Sequence, residues 1–394
     1  MNGLLQIFLP ALMALFCTCW IHPYILKVAK TKNIVDNPDA RKLQRIPVPI
    51  LGGLTVIFGV LSGLMAFNLI GEPYNFFPLF TSIVIILIIG LIDDMISLSA
   101  KVRFAIEILL VIYLIYTTGY QLNDFHGLWG VHQIDNWFSI PLTVFACVGI
   151  INAVNLIDGV DGYSSGYSIV SCILFGAMFY TLGNICMVAL AAIVAASLLP
   201  FFLHNVFGKL SKMFIGDAGT LSLGIIFSVF VTTILSAEQI EVELPDNLGL
   251  IPFTLAVLCI PVFDTLRVMS ARLLKGKSPF SPDKTHLHHL FIELGYSHIG
   301  TTLSIICMNL FVVLCWFLAF MYGLSIDVQL YMVLALGLLV TFIFYPVVKA
   351  AIRKKSRLYL LLRNIAKLTR GERKGFWLLA QRLADRSVSD TSQE

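Results

Sequence analysis

Charge is what this chain has least of. Only 13% of its 394 residues are Asp, Glu, Lys or Arg, against 58% hydrophobic, whereas a soluble domain carries about 25% charged residues. That shortage excludes an ordinary soluble enzyme. No segment of about ten residues alternates apolar with polar, which excludes a membrane β-barrel. No period of 20–50 residues repeats, so neither a solenoid nor a transporter built from two related halves has support. The eight cysteines show neither metal-ligand nor disulfide spacing, and "CTC" (Cys17–Cys19) falls inside an apolar run, where packing explains it. The absences leave one class, an all-α polytopic integral membrane protein.

Windows of roughly 17 to 25 apolar residues predict eleven spans, near 4–26, 50–70, 76–92, 104–118, 138–155, 167–182, 185–203, 219–236, 249–266, 300–322 and 328–348. The first lacks a basic n-region and reads as a true span, not a cleaved signal. Basic residues are absent from every second connection. The segments 27–49, 93–103, 204–218, 267–299 and 349–394 hold all 27 Lys and Arg, and the side richer in them is cytoplasmic. The N-terminus is therefore expected outside and the C-terminus inside. Residues 1–349 read as a transmembrane catalytic domain with cytoplasmic loops. Residues 350–394 read as a basic, partly amphipathic cytoplasmic tail lying along anionic lipid, with Phe376 and Trp377 at headgroup level.

Five polar clusters fall on the basic side. "VDNPDARKLQRIPVPILGG" (Val35–Gly53) sets Arg41, Lys42 and Arg45 beside a Gly pair; this suits an anionic ligand, and equally an ordinary positive-inside loop. "GLIDDMISLSAKVRF" (Gly90–Phe104) ends a span on Asp93 and Asp94, and adjacent acids repel unless a cation or proton lies between them. "NAVNLIDGVDG" (Asn152–Gly162) places Asp158 and Asp161, and one turn earlier Asn152 and Asn155, at a spacing of three; these share a face if the segment is helical. "FIGDAGTLSLG" (Phe214–Gly224) carries Asp217 just before a span, where it could cap the helix or serve a ligand. "FDTLRVMSARLLKGKSPFSPDKTHLHH" (Phe263–His289) gathers Asp264, Arg267, Arg272, Lys275, Lys277, Asp283, His286, His288 and His289. Its histidines could take a transition metal, but without nearby Cys, and beside hard oxygen donors, they read better as donors to phosphate. Acids alone would fit an ion path. Acids with basic, Gly-rich and His/Arg loops point to a metal-chelated polyphosphate.

In this order and orientation the clusters resemble the polyprenyl-phosphate N-acetylhexosamine-1-phosphate transferases (glycosyltransferase family 4) over roughly residues 30–295. The split histidines of "THLHH" resemble the bacterial WecA type. The branch that transfers MurNAc-pentapeptide has three adjacent histidines there. Two positions depart from the pattern: Gln44 stands where the basic loop usually has His, and Thr220 where Gly-Asp-x-Gly usually continues with Ser.

The resemblance implies transfer of GlcNAc-1-phosphate from UDP-GlcNAc to undecaprenyl phosphate with release of UMP. Another UDP-N-acetylamino sugar or UDP-MurNAc-pentapeptide is the alternative donor. It implies Mg²⁺, with Mn²⁺ as a substitute, a bacterial cytoplasmic membrane, anionic lipids, no nucleic acid, and an assembly compatible with a homodimer. It makes Asp217 the direct metal ligand and Asp94 a second metal residue, and it makes Asp93 and Asp94 the acceptor-side pair, with Asp93 positioning or deprotonating the lipid phosphate. Asn152, Asn155, Asp158, Asp161 and Asn205 become donor-site residues, the two acids within the catalytic set. Phe214 stacks on uracil. Arg41 and Lys42 meet anionic substrate, while Arg272, His286, His288 and His289 clasp diphosphate and sugar, His286 with a catalytic part.

Overall fold

The computed structural model describes residues 3–38, 44, 46–70, 75–237, 242–279, 284–370 and 375–391. The chain is built of helices. In order they are α1 (Gly3–Thr31), α2 (Gly52–Ile70), α3 (Phe77–Ile96), α4 (Ala100–Thr118), α5 (Asn136–Leu156), α6 (Tyr163–Thr181), α7 (Ile185–Phe207) and α8 (Gly216–Ile234). Then follow α9 (Leu250–Val257), α10 (Cys259–Leu273), α11 (Leu287–Leu294), α12 (His298–Met321) and α13 (Ile326–Leu338). A π-helical turn, Leu339–Ile343, leads into α14 (Phe344–Lys354), and α15 (Arg357–Leu368) and α16 (Phe376–Thr391) close the chain. Between α1 and α2 two short strands, β1 (Val35–Asp36) and β2 (Val48–Pro49), pair antiparallel.

Nine of the eleven apolar windows each fall on one helix, while 249–266 covers α9 and α10 and 328–348 runs from α13 through the π-helical turn into α14. By length and composition, eight helices among the described residues could cross a membrane, and a bent pair makes nine. The two that fall short are α4, which carries Lys101, Arg103 and Glu107, and α6, which carries Ser164, Ser165, Ser168 and Ser171. Both spend apolar positions on polar groups that face the protein: Glu107 and these four serines are buried.

The bent pair is α9 and α10, which meet at 72°. Pro261 lacks an N–H and cannot bond the Val257 carbonyl four residues back. That oxygen instead accepts from Asn309 Nδ2 at 3.0 Å and from the Tyr167 hydroxyl at 2.5 Å, while Asn309 Oδ1 accepts from Ile260 N. Lipid offers no partner to a freed backbone group, so a break at this depth survives only where side chains satisfy it.

The centre of the bundle is α8, buried from Ala218 to Ile234. Phe175, Phe179, Phe227, Phe230 and Phe253 pack edge-on and tilted around it. At its N-terminal end, bulky side chains give way to backbone contact, as is common where membrane helices pack closely. A Cβ on Gly90 of α3 would meet the Ala218 backbone, and one on Gly53 of α2 would lie 2.5 Å from Gly219 Cα and 2.6 Å from the Ile215 carbonyl. Those neighbours are main-chain atoms and cannot rotate away. Gly53→Ala is therefore expected to cost about 3 kcal/mol, the upper end for overpacking. A melting temperature in detergent equal to that of the unsubstituted protein would contradict this close approach.

The tail does not stand apart. α14 and α15 pack on α11, and α16 lies on α7 and α1. Phe207 at the end of α7 meets the Trp377 ring at 4.7 Å and the Phe376 ring at 6.0 Å, so Trp377 rests on the bundle.

Candidate functional site

The C-terminal ends of α3, α5 and α7 and the N-terminal ends of α4, α6 and α8 lie at one end of an up-and-down bundle, because a short turn joins each pair, and α10 leads to α12 at that end through α11. Chain order alone therefore brings the acidic clusters together.

The first group surrounds Asp217. Its Oδ1 accepts from Asn155 Nδ2 at 2.7 Å, and Asn155 also reaches the Thr220 hydroxyl at 2.9 Å. Its Oδ2 faces Arg103 at 3.8 Å, and the side chain remains 35% exposed. Arg103 donates to Asp93 Oδ2 at 2.9 Å and lies 3.6 Å from Glu107, which accepts from Asn152 at 2.5 Å. Asp93 also accepts from Leu98 N at 2.6 Å, closing the turn after α3. Asp94 differs from both. Its two oxygens accept from Asp217 N at 2.9 Å and Ala218 N at 3.2 Å, so it caps α8, where a carboxylate satisfies unpaired N–H groups and the helix dipole. Gly216, at φ +68°, keeps the space a Cβ would take from the Asp94 carboxylate.

The second group surrounds Asp161. Expected as part of a helical stripe, Asp158 and Asp161 lie instead in the turn between α5 and α6. Gly162, at φ +78°, takes a conformation that favours glycine. Asn205 clips this turn in place, its Oδ1 accepting from Gly162 N at 2.6 Å and its Nδ2 donating to the Met213 carbonyl at 2.8 Å. Asp161 Oδ2 sits 2.6 Å from Lys212 Nζ and 2.7 Å from His298 Nδ1. Burial alone would raise its pKa, but the hydrogen bonds and charges of His298 and Lys212 outweigh it and hold Asp161 below the usual carboxylate range. Asp158 is exposed. Surrounding protein, then the carboxylates of Asp217, Asp94, Asp161 and Asp36, push it up to about 8. Lys212 also lies 5.6 Å over the Phe214 ring, and Phe214 exchanges main-chain bonds with Pro49 and Gly52, which joins the β2 loop to α8.

The third group is the histidine loop. Asp264 Oδ1 accepts twice from Arg267, and Oδ2 accepts from Leu287 N at 3.1 Å and sits 3.0 Å from His286 Nδ1. Arg267 lies flat on Tyr345, 3.9 Å from the ring centre. His288 is buried against Gly159, and burial followed by the neighbouring His289 and His286 lowers its pKa well below the ordinary value. It is thus a neutral ring that seats α11 on the Asp158–Asp161 turn. His289 packs at 4.3 Å on His288. Arg272 is buried and donates to the Pro279 carbonyl at 2.6 Å, closing the loop after α10. Arg41 and Lys42 lie outside the described residues, as do Arg45 and Asp283. Gln44 donates to Asp36 at 2.6 Å.

Lys212, His298 and Glu107 complete the site, and sequence reasoning did not single them out. Lys212 had a signal, a cation two residues before Phe214 in a basic-side loop. His298 had none, because its partner is 137 residues away.

Among the described residues, no three His, Cys, Asp or Glu side chains close around one point. Mg²⁺ needs no such cage: it keeps waters and takes one or two carboxylates plus substrate phosphates. Asp217, a hard oxygen donor whose side chain is 35% exposed, with no Cys beside it, fits that demand. Two cavities of about 240 and 270 Å³, the first lined by Asn75, Leu114 and Tyr120, lie at the opposite end of the bundle.

The family model described as glycosyl transferase family 4 matches residues 76–235, a stretch that holds Asp93, Asp94, Asp158, Asp161 and Asp217. The probable undecaprenyl-phosphate N-acetylglucosaminyl 1-phosphate transferase of Bacillus subtilis (strain 168) is 31% identical over 303 residues, 77% of this chain and 82% of that protein. The undecaprenyl-phosphate alpha-N-acetylglucosaminyl 1-phosphate transferases of Yersinia pestis and Escherichia coli (strain K12) are 32% and 31% identical. They match over 69% and 72% of this chain and 73% and 75% of their own lengths. With this likeness laid over a bundle whose acids meet at one end, the chain belongs to glycosyl transferase family 4.

Proposed function

We propose that the protein transfers GlcNAc-1-phosphate from UDP-GlcNAc to undecaprenyl phosphate, giving undecaprenyl-diphosphate-GlcNAc and UMP. One observation carries the reading: a partly exposed carboxylate, Asp217, sits beside Arg103 at the end of the bundle that also holds Asp158 and the Lys212–Asp161–His298 cluster. Carboxylates and cations interleaved in this way suit a metal-bound diphosphate. The chain crosses a bacterial cytoplasmic membrane eleven times with this end inside, a reading supported by the placement of all 27 basic residues.

Phosphoryl transfer is mostly positioning and charge neutralisation. Asp217 would hold Mg²⁺, which when bound neutralises the diphosphate and eases departure of UMP. Asp94 fixes Asp217 through its backbone, and Asn155 fixes its side chain. Asp93 and Arg103 lie on the acceptor side, with Arg103 available to the lipid phosphate. A phosphate monoester has its second pKa near 6, so at neutral pH the acceptor oxygen is already ionised and needs no strong base. It attacks the sugar-bearing phosphorus; the bond to UMP breaks as the new P–O bond forms. Phe214 and Lys212 offer a ring and a charge to the nucleotide, and the His286 loop borders the sugar.

Purified protein with undecaprenyl phosphate and a panel of UDP-sugars is expected to release UMP with UDP-GlcNAc. A chelator should abolish the release, and Mg²⁺ or Mn²⁺ should restore it. Release with a different UDP-N-acetylamino sugar alone would move the donor assignment, and no release with any donor would overturn the reaction.

A further inference from the structure

Two of the tail's contacts with the bundle each fall one residue before a side chain that meets Asp161. On α16, Asp385 turns its carboxylate into the turn after α7. Its Oδ1 accepts from Lys209 N at 3.0 Å, Leu210 N at 2.9 Å, Ser211 N at 3.1 Å and the Ser211 hydroxyl at 3.1 Å. The carbonyls of the same turn are held from the other side, Leu210 by Lys30 at 2.8 Å and Ser211 by the buried His22 at 2.9 Å. The next residue is Lys212. After α15, Thr369 meets the start of α12: its hydroxyl accepts from Ser297 N at 3.1 Å, and its carbonyl accepts from the Ser297 hydroxyl at 2.7 Å. Gly300 leaves room for it, since a Cβ there would run into the Thr369 side chain. The residue after Ser297 is His298.

We propose that the C-terminal tail is a clamp on the active site, in which Asp385 and Thr369 are positioning residues that set Lys212 and His298 against Asp161. The inference rests on the transferase reading for its kinetic consequence only. Lipid anchoring alone does not require it: an amphipathic helix can lie on the leaflet through its apolar face, here Leu378, Leu379 and Leu383, without committing a carboxylate to the N–H groups of a backbone turn. A carboxylate that accepts three main-chain N–H groups orients those peptides strongly, because charge-assisted bonds exceed neutral ones. The two docking points, at Ser211 and Ser297, lie far apart in sequence and lead to the same acid oxygen.

The test uses the full chain. Asp385→Ala is expected to raise KM for UDP-GlcNAc about tenfold, an energy of about 1.4 kcal/mol, with KM for undecaprenyl phosphate unchanged. Asp385→Asn, which keeps an acceptor oxygen, should recover much of the loss, and Thr369→Val should raise the same KM in a variant of nearly unchanged shape. Hydrogen exchange on ligand-free protein should quicken at both 208–214 and 157–162 in Asp385→Ala. A tail that only supports folding would lower the amount of active enzyme and leave both KM values alone, and that result overturns the clamp. So does quickened exchange confined to the tail. If the unsubstituted protein releases no UMP, the reaction is wrong and exchange alone decides: quickening at 157–162 supports the clamp, and its absence overturns it. If Asp385→Ala does not accumulate, Asp385→Asn and Thr369→Val decide by the same two readouts.

Discussion

Asp217→Asn is expected to lower UMP release about a thousandfold, the scale seen when a group that stabilises transition-state charge is removed, while the protein inserts and melts as before. The geometry explains why stability is spared. The bond from Asn155 ends on Oδ1, and the main-chain N–H of residue 217 still donates to Asp94; an asparagine keeps both. Only the partly exposed negative charge is lost. Bound Mn²⁺, read by its paramagnetic resonance signal, should fall with it. Asp94→Asn should behave differently. Both Asp94 oxygens accept from backbone N–H groups, and an amide can satisfy only one of them while its NH₂ faces the other. That variant is expected to lose activity and to melt lower, by about 1–2 kcal/mol for a lost helix cap. Normal turnover in Asp217→Asn would refute its part in metal binding. Equal melting of the two variants would refute the distinction between ligand and cap.

The helical class and the position of the acids were legible because both follow from one-dimensional signals. Apolar windows fix where helices run, and the segregation of Lys and Arg fixes which ends share a side, so Asp93, Asp158 and Asp217 had to meet. Asn205 and Phe214 could be placed by resemblance, and the structure gives them concrete contacts, a clip on Gly162 and a ring beneath Lys212. What stayed hidden depends on long-range pairing. Glu107 meets Asn152 across 45 residues and His298 meets Asp161 across 137, and no local pattern marks either. Spacing misled for Asp158 and Asp161: three residues apart suggested one helical face, but the chain turns there, with Gly162 at positive φ. The tail's contacts with the bundle were hidden for the same reason, long-range pairing. Its basic, amphipathic composition is sufficient for a lipid anchor, and nothing in composition reveals that one of its few acids, Asp385, is spent on a turn 174 residues earlier.

Asp264→Ala should combine a catalytic loss with a structural one, which makes it a test of how the histidine loop is held. One carboxylate serves three partners: the Arg267 guanidinium, the first N–H of α11 and His286 Nδ1. Arg267 is itself buried, and it would keep only the Thr285 carbonyl and the face of Tyr345. Removing one member of a buried pair leaves an uncompensated charge and costs about 3–5 kcal/mol. The same carboxylate selects the His286 tautomer with its proton on Nδ1 and leaves Nε2 free for exchange with a ligand. UMP release is therefore expected to fall about a hundredfold with a clear drop in melting temperature. His286→Ala removes the ring but leaves Asp264 paired with Arg267 and Leu287, so it should lose activity with little change in melting. In the double variant, the second substitution should cost much less activity than it does alone, since residues acting as one unit are not additive. Fully additive losses would mean that Asp264 acts on the reaction by a route that does not pass through His286.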